Sequence, residues 1–342
     1  MSEPIRIALV GLDHWYSAFP VADEAARHPE VELCGIAHDD RDRAGELARR
    51  VGVERVEQEP MALVEDPAVE AVISFIDCRR NPDVVIAAAE RGKHVLSIKP
   101  VARTLEEATR VRDAVRKAGI HFLPAESRPR LSTYQRQLRA WFDEGRFGKL
   151  ISAQASLWAG IPQQWHDDPT PGWFTDPERA PRRRLDRPQH LPDRPPSRAA
   201  RRGGGRDLGP DRQPQAPGPA DGGLRHLHPG LRGRGDATLE DTWTNPGAFQ
   251  SGNVLVGTEG AVRLDVAARR LSVAGNFDGF KGWVEVAAPV SHVEGLDHFV
   301  DLIRGRAEPV AGVDDAWRNL AVTLAFYEAA RSRRPVAPEV LS

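Results

Sequence analysis

A lysine beside a proline is the residue in this sequence with the clearest chemical potential. Residues 92–102 read Gly-Lys-His-Val-Leu-Ser-Ile-Lys-Pro-Val-Ala, so Lys99 and Pro100 directly follow a short apolar segment. Partial withdrawal from water lowers the pKa of a lysine toward the range in which it transfers protons. We expect Lys99 to transfer protons at the carboxyl end of a buried strand. The alternative is that Lys99 is an ordinary surface lysine at a strand end. His94 is expected to pack in the core.

The turn after the first apolar segment carries part of a phosphate-binding pattern. It reads Gly-Leu-Asp-His-Trp-Tyr from Gly11, and only the first glycine of G-x-G-x-x-G is present. Those glycines let the backbone approach a pyrophosphate at a helix N-terminus. Asp13 takes the second place, where a carboxylate repels phosphate, and Tyr16 takes the third. The pattern predicts either a turn that binds nothing or a weak dinucleotide site, whose candidate residues are Gly11, Leu12, Asp13 and His14.

The end of the second apolar segment is where the ribose of a dinucleotide would lie. An acid at that place normally binds the ribose hydroxyls, and the sequence there runs Ala-His-Asp-Asp-Arg over 37–41. Asp39 could serve as the acid, or His38 and Arg41 could accept a 2′-phosphate, so the choice between NAD and NADP stays open. A solvated strand end is the alternative. The neighbouring cleft is expected to add the cofactor-binding residues Phe75, Ile76, Asp77 and Pro100.

Alternating strand and helix patterns in the first half of the chain would position these residues. The apolar runs that predict strands are 5–10, 31–37, 71–76, 93–97 and 120–124. The patterns that predict helices are 21–28, 41–51, 83–91 and 105–118. Pro20 is expected to delay the first helix, and Thr104 with Glu107 has the spacing of a capping box. This alternation predicts an α/β fold with a doubly wound parallel sheet that binds ligands at the carboxyl ends of its strands.

Length and composition limit the class of protein. The 342 residues carry a formal net charge of −2 and are 40% hydrophobic, which suits two folded domains. We place these domains at 1–125 and 126–342. Two cysteines cannot build a disulfide framework, and no apolar run approaches the ~20 residues of a membrane span. A cytoplasmic protein that binds neither nucleic acid nor membrane, and holds no metal, is expected.

Three segments resemble the Gfo/Idh/MocA family of oxidoreductases. Residues 92–102 are similar to the family's G-K-H-V-L-x-E-K-P-x-A, with Ile98 in place of the glutamate, and 257–265 are similar to its G-T-E-G-x-x-R-x-D. Residues 298–335 look like its closing helices. The resemblance implies an N-terminal Rossmann domain that binds NAD or NADP, with Lys99 assisting proton transfer. It also implies a C-terminal α/β domain with an open, mostly antiparallel sheet, which holds a sugar or cyclitol and forms homo-oligomers.

The resemblance and the aromatic content together indicate where a substrate would bind. In the family, the segment that crosses between the domains lines the substrate side, and here it contains Glu126 and Arg128. Trp165, His166 and Trp173 follow in the second half, where aromatic faces could pack against sugar C–H groups. Packing within a loop is an equal alternative for these three residues.

Residues 181–235 differ sharply from the rest of the chain. They contain 13 Arg, 10 Pro and 10 Gly, and lack Ile, Val, Phe, Tyr, Trp, Met, Lys and Glu. Such a composition predicts an irregular, disordered segment that interrupts the second domain. A nucleic-acid tether, or half a metal site at His226 and His228, are alternatives that we do not favour. We interpret the segment as codons read out of frame, because a one-base shift of 182–187 permits Gly-Gly-Ala-Leu-Ile-Asp. Sequencing the source DNA over codons 175–240 tests this interpretation.

The family's glycine-rich motif G-G-G-x-x-x-D-x-x-x-H-x-x-D, with its catalytic histidine, would fall in the same segment. The chain as written has no matching histidine there. The sequence therefore predicts an NAD(P)-dependent oxidoreductase acting on a polyol or sugar hydroxyl, with impaired turnover as written. The alternative is a non-catalytic homologue that keeps the fold and senses the cofactor or another ligand, as the incomplete glycine turn and Ile98 would suggest.

Overall fold

A computed structural model describes most of the chain. The described residues are 3–176, 178–180, 225–227, 236–242, 249–275, 277, 282–287 and 295–341. The predictions of a frame shift and of disorder over 181–235 therefore lie outside the described residues, except at Arg225–Leu227. These three residues form a strand that the composition did not predict. A strand at a sheet edge needs only backbone hydrogen bonds to its neighbour, so it can form without apolar side chains.

The first sheet is parallel and six-stranded. Its strands are β1 (Ile5–Val10), β2 (Val31–Ala37), β3 (Val56–Glu57), β4 (Ala71–Ser74), β5 (His94–Ser97) and β6 (Phe122–Pro124). They lie in the order β3-β2-β1-β4-β5-β6. The chain runs outward in both directions from β1 and β4, so these two strands mark the switch point where such sheets bind ligands. The predicted doubly wound sheet is confirmed.

The helices that cover this sheet are α1 (Trp15–Arg27), α2 (Arg41–Val51), α3 (Pro60–Val64), α4 (Asn81–Glu90) and α5 (Leu105–Ala118). Helix α5 has the predicted bounds and the predicted capping box, in which Thr104 Oγ1 accepts from the Glu107 backbone N–H at 3.1 Å. The prediction for α1 was wrong, because the helix begins at Trp15 and contains Pro20. Its buried side chains, Val21 and Ala25 among them, pack on the sheet, and this apolar burial offsets the hydrogen bond that proline removes.

The second half of the chain builds a mixed sheet beside two helices, α6 (Ser127–Leu131) and α7 (Thr133–Asp143). The sheet strands are β7 (Leu150–Trp158), β10 (Arg225–Leu227), β11 (Asp236–Thr242), β12 (Gln250–Gly257), β13 (Gly260–Asp265), β14 (Arg270–Gly275) and β15 (Val284–Val286). Their order is β10-β11-β7-β12-β13-β14-β15. Among the described strand pairs of this second sheet, only β11–β7 is parallel. The predicted open, mostly antiparallel sheet is confirmed.

A small hairpin and two late helices complete the described structure. The hairpin is formed by β8 (Gln163–Trp165) and β9 (Asp168–Pro171), and the helices are α8 (Leu296–Ile303) and α9 (Val313–Ser332). Helix α9 packs against α5, where Trp317 Nε1 donates to Thr109 Oγ1 at 2.9 Å. Both late helices thus complete the layers around the first sheet, and the division at residue 125 stays a prediction. In the described part of the chain, every helix is too short or too polar to cross a bilayer.

Candidate functional site

The carboxyl ends of β1, β4 and β5 bring three predicted segments together. His14 N donates to the carbonyl of Phe75 at 3.2 Å, and Asp77 N donates to Asp13 Oδ2 at 2.9 Å, which joins the turn after β1 to the loop after β4. Phe75 and Ile76 are fully buried, so they offer the crevice their backbone rather than their side chains. Leu12 is buried in the same way. The two loops form one wall of a crevice at the switch point of the sheet.

Gly11 is required by this close approach of the two loops. Its φ is +81°, and a Cβ at this position would lie 2.4 Å from the Ile76 backbone nitrogen and Cα. An L side chain would therefore be strained in its backbone and would collide with a neighbouring main chain. The first glycine of the motif has a structural cause here, independent of any ligand.

Asp13 is paired with two arginines that the sequence analysis did not identify. Its side chain is only 7% exposed, and its Oδ1 lies 2.6 Å from Arg179 Nη2. Its Oδ2 lies 3.4 Å from Arg80 Nη2. Arg179 also contacts Asp77 Oδ2 through Nε at 3.0 Å and Nη2 at 2.7 Å. The Asp77 carboxylate is held further by the Arg79 backbone N–H, which donates to its Oδ1 at 2.9 Å near the start of α4.

Asp39 and His38 differ in their environments at the end of β2. Arg80 Nη1 lies 2.6 Å from both carboxylate oxygens of Asp39. Burial acts to raise the pKa of Asp39, but the hydrogen bond and charge of Arg80 outweigh it and lower that pKa. His38 is buried, and burial lowers its pKa despite the carboxylates of Asp13 and Asp39 nearby. Asp39 is thus an exposed carboxylate at the ribose position, whereas His38 favours the neutral form.

His14 lies inside the protein, with Tyr16 and the aromatic rings of a later segment around it. Its Nδ1 lies 2.8 Å from the Tyr16 hydroxyl, and its ring centroid lies 5.0 Å from that of Trp173. Its Nε2 is buried without a hydrogen-bond partner among the described residues. Burial, together with the charges of Lys99 and Arg128, lowers the pKa of His14 well below its usual value. The sequence pattern placed His14 at a pyrophosphate, and the structure places it within the electrostatic reach of Lys99.

Lys99 lies in the crevice with its side chain open to solvent. The surrounding protein displaces most of the bulk water and lowers the pKa of Lys99, an effect that Glu126 opposes and Arg128 reinforces. Burial raises the pKa of Glu126, whose side chain hydrogen-bonds to Asn319 on α9. The charges of Glu126 and Arg128 therefore both act on Lys99, and the proton-transfer and substrate roles of the three residues stay predictions. Ile98 before the lysine is buried and contributes no charge to this group.

Arg128 links helix α6 to helix α1. Its Nη1 donates to Ser17 Oγ on α1 at 3.0 Å, and its guanidinium lies 5.9 Å from the Phe75 ring centroid. The arginine is thereby fixed at the rim of the crevice that contains Lys99. A fixed guanidinium at this place suits the orientation of an oxygen-bearing ligand.

The three candidate aromatic residues are at two different places. Trp165 and His166 are on the β8–β9 hairpin and contact α2, where Glu46 accepts from Trp165 Nε1 at 3.3 Å and lies 2.8 Å from His166 Nε2. Trp173 instead donates from Nε1 to the Asp13 carbonyl at 3.0 Å. The structure therefore brings Trp173 to the turn after β1, and it places Trp165 and His166 between the hairpin and the first two helices.

The segment that contains Trp173 packs against the same wall of the crevice. We refer to residues 172–176 and 178–180 as the strap. Besides the Trp173 bond and the Arg179 ion pairs, Arg103 Nη1 donates to the Glu178 carbonyl at 2.9 Å. The Cys78 thiol donates to the Arg179 carbonyl at 2.8 Å, and burial raises the pKa of this thiol. The strap thus carries an arginine from the second half of the chain to the glycine turn.

The groups at the crevice suit a nicotinamide dinucleotide. An exposed carboxylate, Asp39, lies where ribose hydroxyls would bind, and the guanidinium groups of Arg80 and Arg179 lie where a pyrophosphate would need positive charge. Lys99 is reachable from solvent at the carboxyl end of β5. The Asp13 carboxylate, which is in the turn itself, has a charge that opposes a pyrophosphate. The donor set as a whole fits the cofactor.

The sheet order, the crossover at β1 and β4 and this crevice define the class of dinucleotide-binding α/β proteins. Residues 5–125 match a family model described as an oxidoreductase family with an NAD-binding Rossmann fold. In this part of the chain the predicted resemblance to the Gfo/Idh/MocA family is confirmed.

Relatives of known activity match this chain over a stretch about as long as the one that the family model matches. The chain is 30% identical over 122 residues to scyllo-inositol 2-dehydrogenase (NAD(+)) of Bacillus subtilis, covering 35% of each chain. It is 31% identical over 134 residues to levoglucosan dehydrogenase of Pseudarthrobacter phenanthrenivorans, covering 39% of this chain and 33% of that one. The matched part thus spans about a third of the length of these relatives.

Solved structures match over the whole length in fold. A levoglucosan dehydrogenase in complex with NADH and L-sorbose superposes with a TM-score of 0.76 at 21% identity, covering 99% of this chain and 100% of that one. A putative NADPH-dependent oxidoreductase from Desulfitobacterium hafniense superposes with a TM-score of 0.70 at 18% identity, covering 98% of each chain. At these identities the comparison shows the shared two-sheet fold.

Proposed function

We propose that this protein is an NAD(P)-dependent oxidoreductase that exchanges hydride with a hydroxyl-bearing carbon of a sugar or cyclitol. The observation that carries the proposal is Lys99, a solvent-accessible lysine of lowered pKa in the crevice at the switch point of a Rossmann sheet. The dehydrogenase activities in the names of the relatives support the same reaction class.

Several residues around the crevice would bind the cofactor. Asp39 would bind the ribose hydroxyls, and the turn after β1 with Asp77 and Pro100 would flank the cofactor. When bound, the nicotinamide would accept or supply the hydride that the substrate carbon loses or gains.

Lys99 would handle the proton that accompanies this transfer. In its neutral form, Nζ takes the proton from the substrate hydroxyl as the carbonyl forms, and in the reverse direction the ammonium returns it. The lowered pKa of Lys99 enlarges the neutral fraction that can act as a base. Arg128, fixed on Ser17, would orient a substrate oxygen, and Glu126 would adjust the charge around the lysine.

Turnover by the full chain tests the proposal. The purified protein is given NAD⁺ or NADP⁺ with inositols, levoglucosan and simple aldoses, and formation of the reduced nicotinamide is followed by absorbance. We expect slow turnover of at least one polyol or sugar, because the chain as written has no match to the family's catalytic histidine, and we expect its loss in Lys99→Ala. Cofactor binding without turnover across the whole panel would instead support the sensor alternative, which the uncharged Ile98 beside Lys99 favours.

The remaining predictions concern location and assembly. Cytoplasmic location and homo-oligomers formed through the open second sheet rest on the sequence and the family resemblance. Sedimentation velocity on the full chain tests the second of these, with a dimer or tetramer as the expected species.

A further inference from the structure

Five charged side chains from four parts of the chain meet at the turn after β1. We call them the Asp13 cluster: Asp13, Asp39, Asp77, Arg80 and Arg179. The cluster joins β1, β2, the loop after β4 and the strap through ion pairs of 2.6 to 3.5 Å. Its three carboxylates exceed its two guanidinium groups by one negative charge.

The carboxylate of Asp13 is held in the way that a phosphate oxygen is held. It accepts from the backbone N–H of Asp77 at 2.9 Å and from Nη2 of Arg179 at 2.6 Å, and it lies 3.4 Å from Nη2 of Arg80. Backbone N–H groups and arginine forks are the common donors to phosphate in proteins. The surroundings of Asp13 therefore form an anion site whose occupant is a side chain of the protein.

Asp13 occupies this anion site at the place in the turn where a pyrophosphate would bind. It stands at the second place of the G-x-G-x-x-G pattern, which lacks a side chain so that the backbone can approach a pyrophosphate. A carboxylate at this place competes for the donors that a pyrophosphate would use, and its charge repels the incoming phosphates.

Both arginines keep a second carboxylate partner when Asp13 is removed. Arg179 remains on Asp77 Oδ2 at 2.7 Å, and Arg80 remains on Asp39 at 2.6 Å. The two guanidinium groups thus stay in place when the Asp13 carboxylate is removed, because the ion pairs Arg179–Asp77 and Arg80–Asp39 remain.

We propose that Arg80, Arg179 and the Asp77 backbone N–H bind the phosphates of the cofactor, and that Asp13 is an internal anion which the cofactor must displace. This inference rests on the proposed function. It makes Arg179 a cofactor-affinity residue contributed by the second half of the chain, and it explains why the protein keeps a strap attached to an incomplete glycine turn.

The test is a titration of the full chain with NADH, followed by nicotinamide fluorescence. Asp13→Asn keeps the size of the side chain and removes its charge. It should lower the dissociation constant about tenfold, because the repulsion between the carboxylate and the incoming phosphates is lost. Arg179→Met should weaken binding by about tenfold, and Arg179→Lys should lie between wild type and Met because it keeps the charge without the fork. Arg103→Met is the matched control, since Arg103 holds the strap through Glu178 without touching Asp13.

The outcomes separate this inference from the proposed function. Saturable NADH binding by wild type with unchanged affinity in Asp13→Asn and Arg179→Met would overturn the inference alone. Equal weakening by Arg103→Met and Arg179→Met would also overturn it, because attachment of the strap would then be the cause. Lack of binding by wild type, Asp13→Asn and Asp13→Gly alike would overturn the inference and the proposed function together. Circular dichroism and thermal unfolding confirm that each variant is folded.

Discussion

Arg179 Nη2 lies 2.6 Å from Asp13 Oδ1, although 166 residues separate the two along the chain. This ion pair fastens a segment of the second half of the protein to the first turn of the Rossmann sheet. The same segment supplies Trp173, whose indole N–H binds the Asp13 carbonyl. The crevice at the switch point of the sheet is therefore built from both halves of the chain, and a contact between them sets its charge balance.

Lys99→Ala is expected to reduce kcat by about 10²- to 10⁴-fold, the usual contribution of a positioned acid or base. Its affinity for NADH should stay near that of wild type, because the lysine acts on the substrate proton. Steady-state kinetics and an NADH titration measure the two quantities. Lys117→Ala, an exposed lysine in the last turn of α5, is the control and should match wild type. Equal turnover by Lys99→Ala and wild type would contradict the assignment.

Gly11→Ala is expected to destabilise the protein by about 3 kcal/mol or more, because strain at positive φ adds to a collision with the Ile76 backbone. Gly52→Ala is the matched control. Its φ is +75°, and nothing lies within 4 Å of its added Cβ, so only the backbone strain of about 1 kcal/mol remains. Urea unfolding gives both free energies, and equal losses would show that the approach to Ile76 is not restrictive.

His14 is expected to make the fold sensitive to acid. Its folded pKa lies below its unfolded value of about 6.5, so the unfolded chain binds the proton more readily and stability falls as the pH drops below that value. The slope contributed by one such group approaches about 1.4 kcal/mol per pH unit. Comparing wild type with His14→Gln by urea unfolding between pH 7.5 and 5.5 isolates this contribution from that of the other histidines. The stability difference should move in favour of the variant as the pH falls, and parallel curves would refute the prediction.

Lys93 is expected to be a structural residue, in contrast to Lys99. Its Nζ donates to the carbonyls of Asp66 at 2.6 Å and Val69 at 2.5 Å, beneath the loop before β4. Lys93→Met would remove both bonds and leave the Val69 carbonyl without its donor, while the Asp66 carbonyl would keep the Val69 backbone N–H at 3.1 Å. The loss should cost about 2 kcal/mol in unfolding free energy. Cofactor affinity in the folded variant should not change. A stability equal to that of Lys117→Met would contradict this role.

Local patterns predicted most of the first sheet because each element could be recognised from its own residues. Helix α5 has its capping box, its amphipathic face and a glycine in the left-handed conformation at its end, all within one stretch of sequence. The two-residue strand β3 and the short helix α3 were missed, since elements of that length show no periodicity. Pro20 misled the prediction for α1 because packing on the sheet decided the outcome over the local preference of proline.

The candidate site was predictable where it follows strand ends and was hidden where it depends on distant contacts. Lys99 and Asp39 directly follow strands, so their place at the crevice could be derived from the order of the elements. Arg80 and Arg179 carry no motif, and only the folded chain shows that they meet Asp13. Trp165 and His166 looked suited to a sugar by residue type, whereas their position depends on a hairpin whose docking against Glu46 no local pattern encodes.

Binding of a nicotinamide dinucleotide is tested by titrating the full chain with NADH and with NADPH by calorimetry. We expect saturable binding of at least one of them at one site per chain, and weaker binding of nicotinamide mononucleotide, which lacks the second ribose that Asp39 would bind. An absence of heat and of saturation with both dinucleotides at millimolar concentration would contradict the account.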